Sequence, residues 1–134
     1  MTRPVFEIDG AHFDSLEGFY EELGEKLGLV WWGRNLDAFN DILRGGFGTP
    51  EGGFVLRWTS SARSRDALGH AAAVRYLEQK LLRCHPTNVP GVAEDLEAAR
   101  RGEGQTLYDI LLEIIRCHGA GGEEAEDGVE LELV

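Results

Sequence analysis

Residues 31–48 read WWGRNLDAFNDILRGGFG. Two tryptophans stand side by side, followed by Gly33, Arg34 and Asn35. Asparagine at such a point can accept a hydrogen bond from the free amides that open a helix. Leu36, Phe39 and Leu43 then line one helical face, with Ile42 beside them, and Gly45-Gly46 ends the run. On the other face Asp37, Asn40, Asp41 and Arg44 fall at i, i+3, i+4 and i+7, one polar stripe. Trp31 and Trp32 thus stand at the entry to a short amphipathic helix that offers two carboxylates. An acid in a first turn is favoured by the helix dipole whatever its function, and a polar stripe is most often a solvated face. Pattern alone leaves both a binding face and a plain surface open.

Outward from this segment the chain alternates strands and helices. VFEI (5–8) predicts a strand ended by the Asp9-Gly10 turn. A helix follows, with Asp14 as its expected cap and Glu17 completing a box-like start. Leu16, Phe19, Tyr20, Leu23 and Leu27 recur at helical spacing and Gly28 stops the run. Beyond the helix of 36–44, FVLRW (54–58) predicts a second strand and a third helix starts near Ser60 or Ser61. HAAAVRYLEQKLLRCHP (70–86) is a helix closed by Pro86, and PGVAEDLEAARRGEG (90–104) a shorter one. Thr106 and Asp109 form a capping box for the helix LYDILLEIIRCH (107–118). That helix is apolar around most of its circumference, with Asp109, Glu113 and Cys117 as its single polar stripe. VELELV (129–134) alternates, predicting a last strand with Val129, Leu131 and Leu133 inward. Helices between every pair of strands imply an α/β fold, a small three-stranded parallel sheet with four or more helices, in one domain over residues 1–134.

The 134 residues carry 24 acids against 13 lysines and arginines, a formal net charge of −11. Phosphates would repel such a chain, so nucleic acid is not an expected partner; a basic protein is. Residues 69–104 hold five bases (Arg75, Lys80, Arg83, Arg100, Arg101) and five acids (Glu78, Glu94, Asp95, Glu97, Glu103), so the excess lies elsewhere. No apolar run reaches membrane-span length, and the N-terminus lacks the apolar stretch of a signal peptide. The expected compartment is the cytoplasm, with Cys84 and Cys117 as free thiols.

The string Trp31-Trp32-Gly33-x-Asn35-Leu36-Asp37-Ala38-Phe39, with Asp41 four residues after Asp37, resembles the central motif of the barstar family, intracellular inhibitors of the bacterial ribonuclease barnase. The resemblance covers most of residues 4–68 and 105–134 and skips about 69–104, which reads as a helical insertion. It implies a barstar-like fold and an inhibitor, antitoxin or immunity protein. Such a protein places a carboxylate where a cationic ribonuclease pocket normally holds phosphate. By position Asp41 matches the phosphate-mimicking aspartate and Asp37 its neighbouring contact. Trp31 and Trp32 match contact aromatics, and Glu113 an acidic contact on the last long helix. The implied partner-binding set is Trp31, Trp32, Gly33, Asn35, Asp37, Asn40, Asp41, Arg44 and Glu113. The implied partner is a basic ribonuclease-like protein, and the free protein is expected to be monomeric.

The chain departs from the family pattern at four points. Asn40 stands where the family has a bulky Trp, Arg44 where a small polar residue is typical, and Arg34 where it has an acid; the aromatic after the glycine is shifted to Phe47. Two arginines flanking an acidic face imply a divergent cognate enzyme rather than barnase. The alternative reading is an acidic interaction module that uses the same face on a non-nuclease partner.

Other motifs carry less. Cys84-His85 and Cys117-His118 look like repeated metal pairs, but zinc sites favour ligand gaps of two to four residues, so no metal is expected. His12 reads as a lone turn histidine without an acid partner, and GGEEAEDG (121–128) as a solvated loop. The glycine-rich stretches lack a phosphate-loop lysine, and no nucleophile–base pair is legible; neither cofactor nor enzymatic activity is expected.

Overall fold

The computed structural model describes residues 3–29, 32–46 and 48–134. Val30, Trp31 and Phe47 lie outside the described residues. Strands β1 (Val5–Asp9), β2 (Val55–Thr59) and β3 (Glu130–Leu133) form one parallel sheet in the order β1-β2-β3. Between β1 and β2 run α1 (Leu16–Leu27) and α2 (Leu36–Arg44). Between β2 and β3 run α3 (Ser61–Ala67), α4 (His70–Arg83), α5 (Val89–Arg100) and α6 (Leu107–Cys117). The architecture is the expected α/β fold.

The core is set by the side chains that each element turns toward the sheet. Leu56 and Trp58 of β2, Ile8 of β1, Phe19 and Leu23 of α1, Phe39 of α2 and Leu111 and Ile115 of α6 are all fully buried. Trp58 stacks on Phe19 and meets Tyr108 edge-on, while its indole N–H donates to Ser64 Oγ at 2.9 Å. That bond matches the one polar atom the ring buries. On the outer face Glu7, Arg57 and Glu132 share one register across the three strands, and Arg57 reaches both acids at 3.8 and 3.1 Å.

Two local expectations are corrected. The cap of α1 is Ser15, whose side chain accepts from the Gly18 amide, and not Asp14. Val129 and Leu131 turn inward as expected, but Leu133, at the last position of the edge strand β3, is exposed. The Asn35 cap, the left-handed Gly28 stop and the Thr106–Asp109 capping box are as read from the sequence.

Residues 70–100 form a helical hairpin with a small core of its own. Ala73 and Leu77 of α4 bury against Val92, Leu96 and Ala99 of α5. On another face Ala72 and Tyr76 of α4 pack on the main core. This separation gives a first prediction. Leu96→Ala costs about 2 kcal/mol, and the loss appears as faster amide exchange in α5 with little change in β2 and α6. Exchange rising equally throughout would show instead that the two clusters unfold as one. Among the described residues no helix is long and apolar enough to cross a membrane.

Candidate binding face on the second helix

The nine residues of α2 are held at three places. At its start Asn35 Oδ1 accepts from the Ala38 amide at 2.7 Å, and Asn35 Nδ2 donates to the Gly33 carbonyl at 3.3 Å. Asn35 thus ties the incoming glycine to the first turn, and Arg34 between them takes the left-handed conformation, with φ of 48°. A non-glycine residue held there marks an over-determined segment, often a functional one. At the other end Thr49, buried, donates its hydroxyl to the Ile42 carbonyl at 2.7 Å and satisfies one of the helix's terminal acceptors. Phe39, Ile42 and Leu43 fasten the inner face. A helix fixed in this way can present carboxylates without losing much conformational freedom on docking.

The middle tie is one the sequence did not announce. His118, just past α6, is fully buried. Its Nε2 lies 2.6 Å from Asn40 Oδ1, and its Nδ1 2.7 Å from Asp127 Oδ2 and 3.4 Å from Glu124 Oε2. Nδ1 faces two carboxylates, which can only accept from it, and the Asn40 carboxamide meets the other ring nitrogen. Glu124 also takes the Arg44 guanidinium at 3.1 Å, and the same guanidinium donates to Asp41 Oδ1 at 2.9 Å. The Glu124 hydrogen bond is the main reason that the Arg44 guanidinium holds its proton more tightly than usual. His118, Glu124 and Asp127 bring three ligand atoms within 4.8 Å of one another. Those atoms are matched to each other, to Asn40 and to Arg44, which makes the group a hydrogen-bonded cluster complete without an ion.

The expected site is therefore only partly a free face. Asp37 is exposed, and its charge adds to the burial that lifts the Tyr20 and Tyr76 phenols above their ordinary 10.0. Asp41 is half-exposed but already shares Arg44. Asn40, half-buried, is turned to His118. Trp32 packs edge-on against Tyr20 at 5.4 Å in the outskirts of the core. Its indole N–H is buried with no acceptor among the described residues. Gly24 permits this approach, since a Cβ there would sit 3.1 Å from the Trp32 Nε1. Glu113 is exposed and accepts from the Gln105 side chain instead of joining the α2 cluster. Trp31 lies outside the described residues.

Two expectations made outside the helix also change. The loop of 121–128 is not simply solvated, because Glu124 and Asp127 engage Arg44 and His118. His12 does have acid partners: its Nδ1 is 3.0 Å from buried Glu22, and Glu22 also accepts from the Asp9 amide at 2.8 Å.

Asn40 and Arg44, two of the departures from the family motif, thus belong to one network with the loop after α6. Asn40 pairs with His118, and Arg44 pairs with Glu124. Each unusual residue comes with a partner that satisfies it.

Among protein-family models, Barstar (barnase inhibitor) matches residues 3–81. The match takes in β1, α1, the whole 31–48 segment, β2 and α3, and runs on through Leu81 into the segment read as an insertion. No curated protein matches the chain. With its parallel sheet, its capped second helix and more than half its length under that match, the chain belongs to the barstar family.

Proposed function

We propose that this protein is an inhibitor of a basic ribonuclease-like enzyme, acting in the cytoplasm as a monomeric antitoxin or immunity protein and carrying no catalytic activity of its own. The observation that supports this reading best is the pair Asp37 and Asp41, one turn apart on a helix tied at both ends and in the middle. A ribonuclease pocket is built to hold phosphate oxygens. Carboxylate oxygens on a preorganised helix compete for the same cations, and the −11 charge of the chain steers a basic enzyme toward them. The direct test mixes the protein with a candidate basic nuclease, one encoded beside it where there is one, and follows RNA cleavage. Inhibition complete at equimolar ratio is expected; full activity at that ratio rejects the pairing.

Arg44 modulates this face. In the free protein it neutralises part of the Asp41 charge, while Glu124 draws it the other way. Arg44→Gln removes the internal competitor, so association with the nuclease should quicken several-fold at low ionic strength and converge on wild type at high salt. Slower association in stopped-flow mixing would mean that Arg44 touches an acid on the enzyme.

A further inference from the structure

We propose that the groove between α2 and α4 is a second half of the docking surface and takes an acidic segment of the same partner. The proposal rests on the inhibitor reading and extends it. Along α4, Arg75, Tyr76, Gln79, Lys80 and Arg83 fall on one helical stripe, distinct from the face that Ala73 and Leu77 give to α5. That stripe is one wall of a groove of about 800 Å³ whose other side is made by the start of α1, with Glu17 and Tyr20, and the entry to α2, with Arg34 and Asp37. Arg34, Arg75, Lys80 and Arg83 are exposed, and none has an ion-pair partner among the described residues. On the same hairpin Arg100 is by contrast paired with Glu78 and Glu97. In a chain with an acidic excess of 11, a groove with four cations against three acids (Glu17, Asp37, Glu78) is a local reversal of sign.

Continuity decides what occupies it. Asp37 belongs both to the α2 face and to the groove, so a body seated on α2 also overhangs α4. Tyr76, half-buried beneath Lys80 at 5.9 Å, offers a flat surface for a backbone and a hydroxyl for a carboxylate. Long-range repulsion by the rest of the chain lowers a free polyanion's affinity without closing the groove to it, whereas an acidic loop carried on a basic enzyme is also brought in by the enzyme's own charge. The chemistry that fits is thus a short run of Asp or Glu side chains next to the cationic pocket that meets Asp41. Such a two-signed surface would also discriminate among nucleases, since an enzyme with lysines at that place would be repelled.

The test uses the isotope-labelled full chain, with hexaglutamate as the probe and hexalysine and hexauridylate as comparison ligands, followed by backbone NMR shifts. Hexaglutamate should shift the amides of residues 75–83 and those at the start of α2, saturably. Arg75→Glu/Arg83→Glu should weaken that binding at least about tenfold, and Arg75→Gln/Arg83→Gln by less; both side chains involved are exposed, so the fold is kept. Shifts absent from α4, shifts unaffected by the double reversal, or hexauridylate or hexalysine filling the groove as well as hexaglutamate would each overturn the proposal. Because no nuclease is present, these outcomes are independent of whether the inhibitor reading survives its own assay.

Discussion

Replacing Asp41 by alanine is expected to weaken binding to a basic ribonuclease partner by roughly 30- to 1,000-fold, the ~2–4 kcal/mol of a charged hot spot at an interface centre. The size of the effect comes from what truncation leaves behind. A guanidinium or ammonium group of the enzyme, desolvated by docking, loses its counter-charge and remains buried alone. In the free inhibitor the same change costs little. The Asp41 side chain is 49% exposed, and its pair with Arg44 at 2.9 Å is a surface pair, worth well under ~1 kcal/mol. Thermal stability should accordingly move by no more than about 3 °C. Asp37→Ala should lose less affinity, because Asp37 lies in the first turn at the rim of the face. Calorimetric titration at two salt concentrations checks both variants. Wild-type affinity in Asp41→Ala at both salts, with the nuclease still inhibited, would remove this helix from the mechanism.

The parts of this fold that were legible in the sequence are those settled within a few residues. The Asn35 cap, the Thr106–Asp109 box and the Gly28 stop are contacts three or four positions apart, and periodicity alone places them. Even there a choice of one residue could fail: Asp14 and Ser15 are both good acceptors, and only the backbone settles that Ser15 faces Gly18. The partners of the polar groups were less accessible. His12 finds Glu22 because the turn after β1 folds back on α1, ten residues away. His118 finds Asn40 across 78 residues, and Arg44 finds Glu124 across 80. Nothing in a helical wheel tells a carboxamide that faces water from one that faces a buried imidazole. The acid-rich loop looked solvated because composition counts charges and does not show which of them are met.

The buried tie between α2 and α6 should give the largest change in stability. His118→Ala removes a ring that is fully buried and strips Asn40 and Asp127 of a common partner. The cost is the cavity plus two polar groups left without hydrogen bonds, about 3 kcal/mol together, or close to 10 °C in Tm for a domain of this size. Asn40→Ala should cost less, about 1–2 kcal/mol, because Asp127 and Glu124 still hold the ring. If the Asn40–His118 bond is what joins the two helices, the double variant should be less destabilised than the sum of the singles, by about 1 kcal/mol. The same cycle read as nuclease affinity separates positioning from mere folding. At a temperature where every variant is folded, the singles should each bind several-fold more weakly and the double no worse than His118→Ala. This is because Asn40 positions the helix through His118, so its loss adds nothing once the ring is gone. Strict additivity in both stability and affinity would mean that Asn40 and His118 act apart, and that α2 owes its position to its two ends and its apolar face alone.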